Sequence, residues 1–163
     1  MRIMGIDPGL AIVGFGILDQ EGNNLEPVDF GCIKTEASLK LSTRLKQIYD
    51  ACSFIIDEHK PDVVAIEKIY FNRNVSTAFS VGQARGVLML AVEEAGLPIT
   101  EYTPLQVKNA VVGYGQAEKK QIQEMVKLLL SLPRIPQPDD VADALAVAIC
   151  EAHTDSLNNY ETK

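Results

Sequence analysis

The sequence predicts an α/β fold: a mixed five-stranded sheet, three antiparallel strands followed by two parallel ones, flanked by helices. Three observations carry the expectation. Residues 1–7 and 62–67 are short, almost wholly apolar runs of the kind that strands buried on both faces show. Residues 11–35 alternate between strand-forming stretches and turn residues, which reads as a meander. Between the meander and the second apolar run, Leu41, Leu45, Ile48, Tyr49, Cys52, Ile55 and Ile56 recur at helical spacing.

Each element follows in order. The first strand is 1–7, and the turn pair Pro8-Gly9 separates it from a second strand, Ala11 to Leu18. Glu21-Gly22-Asn23-Asn24 supplies a hairpin turn into a third strand at about Val28 to Thr35. An amphipathic helix is expected at about 38–59, then strand Asp62 to Glu67. A helix at about Val75 to Ala95 leads to strand Ile99 to Tyr102. Three helices close the chain at about 104–112, 118–131 and 139–153, with Pro133, Pro136 and Pro138 breaking the chain before the last. The right-handed crossover rule sets the strand ending at Glu67 parallel to and beside the strand ending at Asp7. Both carboxylates then emerge at one sheet edge, roughly 5 Å apart, where open α/β sheets place their sites.

The bulk properties bound the reading. A chain of 163 residues fits one domain, expected at 1–153, with 154–163 as a short polar tail. No apolar run reaches the roughly 20 residues that span a bilayer, so no membrane partner is expected. The N-terminus reads as a strand, not a signal peptide. Cys32, Cys52 and Cys150 are widely spaced in apolar pattern and read as reduced core thiols of a cytoplasmic protein. His59 and His153 lie far from the acids along their elements and read as bystanders, His153 as a surface residue near a helix C-terminus.

The net charge of −7 argues against a nucleic-acid partner, but its distribution does not. Residues 68–92 carry +3 through Lys68, Arg73 and Arg85. Residues 102–134 carry another +3, because Lys108, Lys119, Lys120, Lys127 and Arg134 outnumber Glu118 and Glu124. The other residues therefore hold −13.

Four acids need a joint explanation: Asp7 and Glu67 at strand ends, and Asp140 and Asp143 on one face of the last helix. Singly, each has an ordinary one. Asp7 before Pro-Gly is a turn former, Glu67 a salt-bridged strand end, and Asp140 a helix cap with Asp143 favoured by the dipole. Together they demand four unrelated reasons, whereas a shared hard-cation site demands one. Oxygen donors without nearby Cys or His select Mg²⁺ or Mn²⁺ over zinc.

Gly5-Ile6-Asp7-Pro8-Gly9, Ala65-Ile66-Glu67, VGQARGVLMLAV from Val81, QVKNAVVGYGQAEKKQIQ from Gln106 and PDDVADALAVAIC from Pro138 together resemble the RuvC family of Holliday-junction resolvases. The resemblance runs in order from Met1 to about Cys150. It implies a ribonuclease-H-like fold, a homodimer, and symmetric nicking of two strands of four-way junction DNA during recombination and repair. It makes Asp7, Glu67, Asp140 and Asp143 the catalytic, metal-binding acids, with two Mg²⁺ per active site and Mn²⁺ as a substitute. It assigns Lys108 and Lys119 to DNA and sets Tyr70 where the family has a Phe that stacks into the opened junction, while Phe71 reads as core. Arg73, Arg85, Lys120 and Lys68 are further candidates for phosphate contacts. The family also implies partnership with the branch-migration motor RuvA/RuvB.

Gly82 and Gly86 stand one turn apart in the second helix, where glycine costs about 1 kcal/mol, so close approach to the sheet or to a dimer mate is expected. Three other classes compete. A ribonuclease-H-like nuclease for RNA–DNA hybrids would show similar acids. A non-cleaving junction-binding protein would gain nothing from four acids facing DNA. An actin-like phosphate module would need a second similar domain, for which this chain has no length.

Overall fold

A computed structural model describes residues 1–69 and 75–161 of the chain. Among the described residues, five strands are ordered β3-β2-β1-β4-β5 in one sheet: β1 (Arg2–Asp7), β2 (Ile12–Glu21), β3 (Asn24–Lys34), β4 (Val63–Glu67) and β5 (Ile99–Tyr102). The helices are α1 (Leu41–His59), α2 (Val75–Glu94), α3 (Pro104–Val112), α4 (Lys119–Leu129) and α5 (Asp139–Glu161). β1 pairs antiparallel with β2 and parallel with β4, and β4 pairs parallel with β5. The expected three-plus-two mixed sheet is therefore present.

The hairpin arms run longer than the hydrophobic pattern indicated. Glu21 pairs with Asn24 across a two-residue turn in which Gly22 takes φ +59°. β3 is an edge strand with a largely exposed outer half, so polar residues there break the apolar alternation without breaking the ladder. Pro27 is tolerated for the same reason, since an edge strand can spare a donor.

Alternation along the strands divides the core. Ile3, Val63 and Ala65 face the layer of α3, α4 and α5. Met4, Ile6, Val64 and Ile66 face α1 and α2. The two-residue period therefore sends Asp7 and Glu67, the residues after Ile6 and Ile66, to the α5 side.

α5 continues through Glu161, where a polar tail was expected from 154. Nothing in 154–161 breaks a helix, and each added residue closes one more backbone bond. The Thr154 hydroxyl also donates to the Cys150 carbonyl at 2.8 Å. The polar stretch does not end the helix. His153 is accordingly mid-helix and half-buried, its Nδ1 donating to the Ala110 carbonyl of α3 at 2.9 Å.

Candidate functional site

Three elements bring the acids together. The parallel register pairs Ile3 with Val63 through Ile6 with Ile66, so Asp7 and Glu67 follow at neighbouring strand tips. Their shared face is covered by α5, which lies unusually close to the sheet. A Cβ built on Gly14 would stand 1.9 Å from the Asp140 carbonyl oxygen, and one on Gly5 2.2 Å from that of Ala144. On Gly16 it would meet the Leu145 side chain at 2.5 Å. Only glycine permits this approach. Gly14 is the register partner of Asp7, so the helix that rests on Gly14 carries Asp140 to the tip of β1. Gly5, Gly14 and Gly16 were missed as site-building residues in the sequence, although glycines spaced by two in neighbouring strands signal such a seat.

The electrostatics record the crowding. Burial first, then the charges of Asp143, Glu67 and Asp140, push the Asp7 carboxyl up to about 8, with Lys119 offsetting part of the rise. Burial and Asp143 push Glu67 up to about 7, against the opposing pull of Lys119 and Lys108. Asp143 is also raised, chiefly by burial, with Lys119 again acting the other way. The Lys119 ammonium lies 3.0 Å from Asp143 and 3.3 Å from Asp139. Burial works against its charge, but those two carboxylates outweigh it and raise its pKa.

Local sequence explains how the lysines arrive. The Thr103 side chain caps α3 by accepting from the Gln106 N–H at 3.1 Å, and Pro104 occupies the first turn. This starts α3 immediately beyond the β5 tip and points Lys108 toward Glu67. At α4, the Gln121 side chain accepts from the Glu118 N–H at 2.8 Å, which sets Lys119 at the first helical position. Glu67, Lys108, Lys119 and Asp143 line one cleft of about 180 Å³ with Pro104, Val107, Ile122 and Ala146.

The remaining candidates part company. Lys120 turns to the opposite side of α4, into a groove with Tyr114, Met125 and Leu128. Arg85 donates through Nε to the Glu67 carbonyl at 3.3 Å and ion-pairs with Glu101, so its guanidinium is engaged within the chain instead of facing open solvent. Lys68 is exposed at the β4 end. Tyr70, Phe71 and Arg73 lie outside the described residues.

The donor set fits hard divalent cations. Among the described residues, no ammonium or guanidinium reaches Asp7 or Glu67 at ion-pair distance, and burial together with the neighbouring acids disfavours their ionised forms. In the present side-chain positions, no three His, Cys, Asp or Glu among the described residues close on a single point that could hold an ion. Asp143 instead ion-pairs with Lys119 at 3.0 Å.

Comparison with known proteins agrees in sequence and in fold. A family model described as "Crossover junction endodeoxyribonuclease RuvC" matches residues 3–151. A protein of that name from Brevibacillus brevis is 62% identical over 152 residues, covering 93% of this chain and 92% of the relative. One from Desulfitobacterium hafniense is 55% identical over 159 residues, covering 98% and 96%. Among solved structures, T. thermophilus RuvC in complex with Holliday junction substrate superposes with a TM-score of 0.92 at 33% identity, covering 97% of this chain and 96% of that one.

Proposed function

The chain belongs to the RuvC family of crossover junction endodeoxyribonucleases, and we propose that Asp7, Glu67, Asp140 and Asp143 form the centre at which it cuts Holliday junctions. It is a nuclease of ribonuclease-H-like fold that hydrolyses phosphodiester bonds in four-way DNA, and the family uses divalent metal. The observation that carries the site assignment is the placement of Asp7 and Glu67 at adjacent parallel strand tips, beneath a helix that the glycines of β1 and β2 seat close enough to bring Asp140 to the tip of β1.

The four carboxylates would hold the cations. Four acids whose neighbouring positive charge comes from Lys119 and Lys108 suit two Mg²⁺, with Mn²⁺ able to substitute. When bound, such ions polarise the scissile phosphate and lower the pKa of an attacking water. The chain's own residues do the rest. Lys108 and Lys119 border the cleft and supply positive charge to the phosphate backbone, which positions the strand without reading its bases. Tyr70 is proposed to stack on an unpaired base at the opened junction, which contributes roughly 1–3 kcal/mol. Arg73 and Lys120 are proposed as peripheral phosphate contacts. With DNA as substrate, the cytoplasm is the proposed location, and no described helix is long and apolar enough to cross a membrane.

A homodimer fits a two-fold substrate, since each site then meets one of two equivalent strands. Among the described residues, a Cβ on Gly82 or Gly86 would meet nothing within 4 Å, so these glycines do not serve contact with this chain's own sheet. They share the outer face of α2 with Phe79 and Leu90, which are 67% and 52% exposed. That face supports α2 as the dimer surface. The RuvA/RuvB motor remains a partner proposed from the family.

The test is a synthetic four-way junction. Purified protein is expected to nick it symmetrically with Mg²⁺ and to leave linear duplex intact. Equal cutting of an RNA–DNA hybrid would favour the RNA-directed reading, and binding without cutting would favour a pure junction binder.

A further inference from the structure

We propose that Arg85 and Glu101 form a clamp that positions Glu67, which makes Arg85 a positioning residue and not a DNA contact. The inference rests on the reading of Glu67 as a catalytic carboxylate.

The Arg85 side chain reaches from α2 to the tips of two parallel strands and is only 17% exposed. Its Nε donates to the Glu67 carbonyl at 3.3 Å, Nη1 lies 3.2 Å from Met89 Sδ, and Nη2 ion-pairs with Glu101. Glu101 is the β5 register partner of Ile66, so the clamp spans β4 and β5 one residue before the chain leaves the sheet. The adjoining Lys68 N–H donates to the Tyr102 carbonyl at 2.7 Å. The peptide that joins Glu67 to Lys68 is thereby held on both its carbonyl and its N–H.

Fixing that peptide fixes the backbone of Glu67, and with it the direction in which the carboxylate leaves the strand. A terminal strand carbonyl facing water would leave this direction loose. Arginine suits the task because its planar fork presents several donors at fixed angles, which lysine does not. A phosphate contact would require Arg85 to leave Glu101, whose negative charge also repels DNA. Misplacement of a reacting group by about 1 Å costs on the order of 100-fold in rate, so even partial loosening of Glu67 is measurable.

The experiment compares Arg85→Met, Glu101→Gln, their double variant, and Glu67→Gln. Four readouts are needed: single-turnover nicking of a four-way junction with Mg²⁺, junction Kd in chelator, the salt dependence of that Kd, and sedimentation. Arg85→Met and Glu101→Gln are each expected to slow nicking by about tenfold or more. Junction Kd, its salt slope and the sedimentation coefficient stay at wild-type values, and the double variant is no slower than the worse single one. Weaker binding and a salt slope reduced by about one for Arg85→Met alone, with Glu101→Gln silent, would make Arg85 a phosphate contact and overturn the clamp. Multiplying losses, or wild-type nicking by both single variants while Glu67→Gln is inactive, would overturn it too. If Arg85→Met does not fold, Glu101→Gln, which preserves shape, decides alone. Active Glu67→Gln would instead refute the reading of the acid centre.

Discussion

Asp7 bears the largest electrostatic conflict among the described acids, and its behaviour without metal follows from sign alone. The native carboxyl keeps its proton up to about pH 8, whereas an unfolded aspartate releases it near the ordinary value of 3.8. Between those values the native state binds more protons, so raising pH favours unfolding. The stability associated with neutral Asp7 is complete below the unfolded value and is lost as pH rises through about 8. Glu67 adds the same sign up to about 7. In chelator, Tm is therefore expected to fall between pH 5 and pH 8, and divalent cation is expected to restore it at pH 8. Asp7→Asn removes the ionisation: at pH 8 in chelator it is expected to be roughly 2–4 kcal/mol more stable than wild type, yet to bind junctions without cutting them. Thermal melts at the two pH values check this, and a variant less stable than wild type at pH 8 would contradict it. Lys119 acts in the opposite direction. Lys119→Met withdraws a cation from Asp143, Asp7 and Glu67, so it is expected to lower metal-free stability and to reduce the salt slope of junction binding by about one.

At the scale of elements, the site depends on how closely α5 can lie on β1 and β2. Ala at position 14 would drive its methyl into the Asp140 backbone, and at position 5 into that of Ala144. Neither contact is with a flexible side-chain end, so the helix itself must shift. Gly14→Ala is expected to cost about 2 kcal/mol or more and to slow nicking more than its stability loss explains, because it moves Asp140 relative to Asp7. Urea melts and single-turnover rates on the folded fraction check the two parts separately. The elements themselves were readable because buried strands and amphipathic helices carry strong periods. β5 and α3 fall on the expected residues, 99–102 and 104–112. The edge of the sheet and the end of α5 were less readable, because solvent exposure removes the apolar pattern while the backbone bonds persist. The four acids are candidates from chain position alone, since strand ends and helical spacing are local properties. The Arg85–Glu101 pair was not, as it joins elements only after a crossover has brought them together. A positive residue in a basic stretch looks free in the sequence until its partner is known.

At the scale of the whole molecule, the open question in α2 is what its apolar outer face covers. Phe79, Gly82, Gly86 and Leu90 recur at intervals of three and four, which aligns them along one stripe of the helix. Among the described residues the two glycines make no close approach, so nothing described there offsets their helical cost of about 1 kcal/mol each. A partner helix lying against the stripe would supply it. The two alternatives separate in one substitution. Gly86→Gln adds a side chain into open space within the monomer and restores helix propensity, so folding stability per monomer is expected to rise by up to about 1 kcal/mol. If two copies meet on this stripe, the same side chain stands between them, and sedimentation at micromolar concentration is expected to shift from dimer to monomer. Nicking would then lose its pairing: single nicks accumulate on the junction, while symmetric double cuts become rare. Leu90→Asp tests the same surface by charge instead of bulk. A Gly86→Gln variant that is still dimeric would place the interface elsewhere, and the two-fold match between enzyme and junction would need a different face.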